Sequence, residues 1–178
     1  MQPSARDKIK PISELSEIAE KIRSSGKKIA HAHGTFDLLH MGHVRHLEQA
    51  RREGDVLIVT VTADEHVHKG PGRPVFTDQL RAEMLAALEY VSWVGVNHHA
   101  SAEQVIHAIK PDAYIKGSDY VDAEQDVTGK IVDERNAVES HGGRLVFTSD
   151  ITFSSSELIN RHIDVFEPEV RDYLDQVR

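Results

Sequence analysis

Two histidines three residues apart, His40 and His43, lie in the run Gly34-Thr35-Phe36-Asp37-Leu38-Leu39-His40-Met41-Gly42-His43, which also carries two glycines and a carboxylate. Residues at this spacing project from neighbouring positions of one helical turn, and imidazoles so placed can donate hydrogen bonds to phosphate oxygens. The run follows an apolar alternation, Ile29-Ala30-His31-Ala32-His33, and precedes Val44 to Glu53, where Val44, Leu47 and Ala50 recur at helical spacing. A strand, a glycine-bearing loop and a helix are therefore expected. Gly34 would let the chain leave the strand in a conformation costly for other residues, and Gly42 would let backbone approach a ligand at the helix start. Backbone N–H groups and the positive end of the helix dipole point the same way there, which makes the loop a seat for phosphate. A bare H-x-x-H would equally suit a surface pair or a metal pair, so the wider string carries the reading.

The elements that must hold this loop follow from periodicity. Leu15, Ile18, Ala19 and Ile22 form one stripe of an amphipathic helix with Ser13 as its N-cap and Gly26 as its stop, placed over the edge of the sheet. Gly54 closes the helix after the loop, and Asp55 to Thr62, a nearly continuous run of β-branched residues, reads as a central parallel strand completing a right-handed βαβ unit. The loop from Ala63 to Pro74 then holds Asp64, Lys69 and Arg73 at the carboxyl end of that strand, where open α/β sheets bind ligands. Lys69 and Arg73 are candidate phosphate contacts, and Arg73 and Asp64 candidates for binding a substrate. Thr77 caps a helix over Asp78 to Glu89 with Leu80, Met84, Leu85 and Leu88 inward, and Arg81 either forms an ion pair or touches ligand. Trp93 belongs to the core or to a subunit interface.

Ala102 to Ile109 is the next helix, Ala113 to Lys116 a short strand, and Gly117 opens the loop that carries Asp119, which could equally cap the following helix. That helix spans Asp126 to Ser140, and Arg144 to Thr148 is the last strand. Ser154, Ser155 and Ser156 stand just before the apolar pair Leu158 and Ile159, with Glu157 between, as at a helix N-terminus. The fold class is α/β: a Rossmann-like, doubly wound parallel sheet of about five strands with helices on both faces. Residues 1–165 form one domain and 166–178 a charged C-terminal helix or linker, whose abrupt end suggests a domain cut from a longer protein.

Composition bounds the chemistry. A formal charge of −8 argues against a general nucleic-acid binder. With no cysteine, disulfides, thiolate metal sites and cysteine nucleophiles are excluded. No apolar run reaches the length of a membrane span and the N-terminus lacks the apolar core of a signal peptide, so the cytoplasm is expected. The twelve histidines raise a metal-site reading, but their placement argues against one shared site: His31 and His33 alternate along a strand, His66 and His68 sit in a loop, and His98 and His99 are adjacent at a strand end, and adjacent or alternating side chains are expected to face apart.

The ten-residue string resembles the signature of the H-x-G-H nucleotidyltransferase superfamily, in particular its heptose 1-phosphate adenylyltransferase and glycerol-3-phosphate cytidylyltransferase branch. Pro111-Asp112-Ala113-Tyr114-Ile115-Lys116-Gly117-Ser118-Asp119-Tyr120 is similar to the P-D-x-x-x-K-G-x-D-Y of the heptose enzymes, and Ser154 to Ile159 occupies the place of the superfamily's serine-threonine motif. The cytidylyltransferase branch has an arginine five residues before its first serine where this chain has Ser149, which leaves the heptose branch the nearer match. The resemblance covers residues from about 28 to 162 and implies three motifs acting together. It implies a nucleoside triphosphate, ATP or CTP, bound over Gly34, Thr35, Phe36, Asp37 and Gly42, with Lys116, Gly117 and Asp119 beside base and ribose. His40 and His43 would stabilise the transferring phosphoryl group, Lys69 would balance charge, and Ser154, Ser155 and Ser156 would hold pyrophosphate. Mg2+ is implied, with Asp37 either holding it or ordering the loop. The acceptor would be a phosphorylated sugar or alditol, the assembly a homodimer, and a sugar kinase a fused or separate partner. A non-catalytic nucleotide sensor and a histidine-rich metal-binding protein are the competing readings.

Overall fold

A computed structural model describes residues 4–70, 72–117 and 130–148. A 3-10 turn, Ala5–Lys8, precedes α1 (Ile12–Ser24), β1 (Ile29–Gly34), α2 (Met41–Arg52) and β2 (Val56–Thr62). A second 3-10 turn, Asp64–His66, leads to α3 (Asp78–Ala86), β3 (Trp93–Asn97), α4 (Glu103–Ile109), β4 (Ala113–Gly117), α5 (Lys130–Glu139) and β5 (Arg144–Thr148). The strands pair in the order β3-β2-β1-β4-β5, all parallel. Successive crossovers run outward from β1 to β3, and the chain then returns to the other side of β1, so the order reverses between β1 and β4. In open sheets a ligand crevice forms at the carboxyl ends of such a reversal.

Strand alternation assigns the two faces. Ala30, Ala32, Leu57, Val59, Val61, Val94, Ala113 and Ile115 pack under Leu47 and Ala50 of α2 and Ala82, Leu85 and Ala86 of α3. On the opposite face Ile29 and Ile58 meet Leu15 and Ala19 of α1 and Val105 and Ile109 of α4, while Tyr114 meets Ile106 and the α5 residues Ala137 and Val138. Helices thus cover both faces, as the doubly wound reading required. Helix α1 lies across this second face rather than over the sheet edge, close enough that a Cβ on Gly95 would stand 2.6 Å from Leu15 Cδ1. The edge beside β3 is met by the preceding segment, where Lys10 N donates to Val94 O at 2.9 Å.

Several local expectations are corrected. Helix α1 starts one residue before Ser13, with Pro11 as N-cap at φ −61° and no side-chain cap, because proline's fixed φ already sets the entry. In α3 the inward residues are Arg81, Ala82, Leu85 and Ala86, and Leu80 is 48% exposed. The buried stripe is rotated to bring a charged side chain inside, which an apolar pattern does not register. His31 and His33 do not point apart: residues two apart on a strand share a face, and both rings reach Thr60 Oγ1 at 2.9 Å. The described part of the expected 126–140 helix is α5. Asp119, Ser149, Ser154, Ser155, Ser156 and the tail lie outside the described residues.

Candidate active site

The signature loop leaves β1 at Gly34 and enters α2 at Met41. Its left-handed residue is Phe36, at φ 49°, and not Gly34. A non-glycine residue held there costs on the order of 1 kcal/mol or more. The conformation folds the Phe36 ring back over Gly34, where an added Cβ would lie 3.2 Å from the ring, and brings the ring edge to His43 at 5.2 Å between centroids. What crowds position 34 is therefore the ring above it and not the backbone angle.

Two internal clamps hold the loop in this shape. Asp37, 1% exposed, accepts the Val75 N–H at 2.6 Å on one oxygen and the Arg73 guanidinium on the other. Arg81, fully buried, donates to Phe76 O at 2.9 Å, Thr35 O at 2.5 Å, Thr62 O at 2.8 Å and Asp64 Oδ1 at 2.6 Å. One guanidinium thus joins the signature loop, the end of β2, the turn after it and the approach to α3. Asp64 and Arg73, expected to bind a substrate, and Asp37, expected to hold metal or to order the loop, each have an internal partner in the fold. The Asp37 contacts tie the signature loop to Arg73 and Val75. Among the described residues no group of three or more His, Asp or Glu is arranged to hold a metal ion.

His40 is the N-cap of α2, with extended backbone at φ −133°. Its N–H donates to His43 Nδ1 at 3.4 Å, and the two rings stack 3.9 Å apart at 21°. An Nδ1 that accepts leaves Nε2 to carry the proton. Burial, then the neighbouring His40, His46 and Lys69, pushes the His43 imidazolium down to about 3, against an opposing hydrogen bond to the Leu38 backbone. Burial lowers His40 as well. Burial thus favours the uncharged form of both imidazoles. Lys69 is exposed, and its ammonium is biased downward by partial burial and by Arg73, with Asp37 opposing. It lies near enough to be felt by His43.

Lys116, also expected at the nucleotide, is buried and its Nζ stands 2.7 Å from Glu134 Oε2 of α5. Gly117 ends β4 on the α2 side of the sheet, and among the described residues nothing lies within 4 Å of a Cβ built there. Two residues near it went unremarked in the sequence: His46, three beyond His43, whose Nδ1 is 2.7 Å from Thr148 Oγ1, and Glu134. Continuation of the three-residue histidine spacing was the available signal for His46; nothing in the local sequence marks Glu134.

A parallel sheet reversing at β1 and β4, with a neutral histidine pair at a helix N-terminus over the crevice, defines a phosphate-handling domain of the nucleotidyltransferase class. The chain belongs to the cytidylyltransferase-like family, whose model matches residues 31–161, and so carries a nucleotidyltransferase domain. It is similar to the bifunctional protein HldE of Desulfatibacillum aliphaticivorans, 40% identical over 91% of this chain and 32% of that protein. HldE of Aliarcobacter butzleri is 41% identical over 76% of this chain and 29% of that protein. The chain spans about a third of the length of these relatives. Among solved structures, a lipopolysaccharide core biosynthesis protein from Thermoplasma volcanium matches with a TM-score of 0.59 at 24% identity, covering 71% of this chain and all of that one. Pantoate-beta-alanine ligase from Francisella tularensis matches with a TM-score of 0.61 at 15% identity, covering 87% and 73%. These two likenesses concern the fold. No helix among the described residues is long and apolar enough to cross a membrane.

Proposed function

We propose that this domain transfers a nucleoside monophosphate from a nucleoside triphosphate to a phosphorylated sugar of the heptose 1-phosphate kind. A phosphate oxygen of the acceptor attacks the α-phosphorus in line, a new P–O bond forms, the bond to the β-phosphate oxygen breaks, and pyrophosphate leaves. A phosphate already ionised at neutral pH needs no general base, and positioning and charge stabilisation carry such reactions. Accordingly His43, with His40 stacked on it, supplies N–H donors to the α-phosphate oxygens, and Lys69 supplies positive charge. Gly117 keeps the floor open for the nucleoside. The observation that carries this reading is the stacked His40–His43 pair, held at the α2 N-terminus by a loop that the buried Asp37–Arg73 ion pair and the buried Arg81 guanidinium fix.

The motif match to the heptose enzymes over Pro111 to Tyr120 favours ATP and a sugar phosphate; cytidylyl transfer from CTP to glycerol 3-phosphate is the alternative. Relatives three times as long and named bifunctional make a second catalytic unit, a sugar kinase that produces the acceptor, a reasonable partner. The assembly is proposed to be a homodimer, to be read by light scattering. The test is pyrophosphate release with each of ATP, CTP, GTP and UTP, as their magnesium complexes, against heptose 1-phosphate, glycerol 3-phosphate and other sugar phosphates. Release from one pair supports transfer and identifies both substrates. Tight nucleotide binding without release from any pair would favour a nucleotide sensor.

A further inference from the structure

We propose that His46 is a positioning residue, locking the H-x-G-H turn to the carboxyl end of β5 through Thr148; this rests on the nucleotidyl-transfer reading of the site. His46 lies on α2 one turn beyond His43, and its Nδ1 is 2.7 Å from Oγ1 of Thr148, the last residue of β5 and 6% exposed. Thr148 Oγ1 in turn donates to Lys116 O at 3.3 Å. The hydroxyl has one proton; with that proton on the Lys116 carbonyl, His46 Nδ1 is left to donate to Oγ1. The chain of contacts therefore runs from α2 through β5 to β4, next to Gly117, which pairs in register with Thr148.

Its place gives it a task that packing alone does not perform. Gly117 and Thr148 end the two strands on the far side of the strand-order reversal, whereas His40 and His43 begin the helix that follows β1 on the near side. A phosphate held between the two sides is sensitive to their separation, and misplacement of reacting groups by about 1 Å can lower a rate about a hundredfold. The His46 to Thr148 hydrogen bond is a direct polar tie between α2 and β5. Thr148 is also the residue from which the chain continues toward Ser154, so the same bond fixes where that segment departs.

The test uses variants that separate geometry from bulk. Asn places an amide where His46 has Nδ1, and Gln places it where the ring has Nε2. We would measure kcat, KM and nucleotide Kd for the unmodified protein, His46→Asn, His46→Gln, Thr148→Val and His46→Gln with Thr148→Val, with melting temperatures alongside. His46→Gln and Thr148→Val should each lower kcat/KM about five- to tenfold, chiefly in kcat, the equivalent of one neutral hydrogen bond. His46→Asn should recover most of that loss, and the double variant should be no worse than the single ones. Unchanged kinetics in Thr148→Val, equal losses for Asn and Gln, or additive losses in the double variant would overturn the assignment. If the unmodified protein turned over no substrate pair, the transfer reading would fail by itself. The tie itself would then be read from the His46 ring nitrogens by NMR, where an Nδ1 that carries no proton, or one unchanged by Thr148→Val, would overturn the role of His46.

Discussion

Replacing Arg81 with Met tests whether the loop is held as described. The substitution keeps a long apolar stem and removes the guanidinium that satisfies Phe76 O, Thr35 O and Thr62 O, all around a side chain with no exposed surface. Each carbonyl left without its donor costs about 1–3 kcal/mol, so the three together lose at least about 3 kcal/mol. The ion pair with Asp64 adds little, since that carboxylate is 37% exposed and water can replace the lost partner. Against a total stability of about 5–15 kcal/mol the loss is large, and at about 2–4 °C per kcal/mol it lowers Tm by roughly 6–12 °C. Arg81→Lys restores the charge as a single point donor and should recover only part of this. Thermal unfolding followed by circular dichroism at pH 7.5 is the assay. A Tm within about 3 °C of the unmodified protein for Arg81→Met would refute the keystone role, because no packing term is large enough to hide the lost donors.

Gly117→Val should leave Tm nearly unchanged, since an added Cβ meets no described atom within 4 Å, yet weaken nucleotide binding at least about tenfold by filling the crevice floor; calorimetric titration with ATP and CTP reads it. Stability should fall with acid in a defined window. Burial pushes His31 and His43 down to about 3, whereas unfolded imidazoles titrate near 6.5, so below that value the unfolded chain binds protons that the folded chain refuses. Stabilisation is therefore complete above pH 6.5 and is lost progressively toward pH 3, by up to about 1.4 kcal/mol per pH unit for fully buried His31 alone. Urea midpoints from pH 8 to 4 check this, and a flat profile would contradict it.

The layout of the sheet was legible in the sequence because strand and helix periods are written in apolar side chains. Val56 to Thr62 reads as a buried parallel strand, and Val44, Leu47 and Ala50 mark the face of α2. The histidine pair at the start of α2 was legible too, from spacing and from the glycines around it. What did not show was the pairing of charges. Asp37 with Arg73, Asp64 with Arg81, and Lys116 with Glu134 all join residues at least 17 positions apart, and each member looks like an ordinary polar residue until the fold brings its partner in. Cations that sequence offers to a ligand thus also have carboxylate partners inside the protein. Leu80 was misplaced for the same reason, since burying Arg81 turns α3 by one position. Phe36 was unreadable because glycine, and not phenylalanine, is the residue expected at positive φ.

In the proposed transfer His43 stabilises the transferring phosphoryl group and does not merely help bind the nucleotide. The most direct measurement is kcat for pyrophosphate release by His43→Ala beside its nucleotide Kd. Loss of one preorganised donor in the transition state predicts a fall in kcat of about two orders of magnitude or more, with Kd within a few-fold of the unmodified protein. Equal losses in kcat and affinity, or an unchanged kcat, would contradict the account.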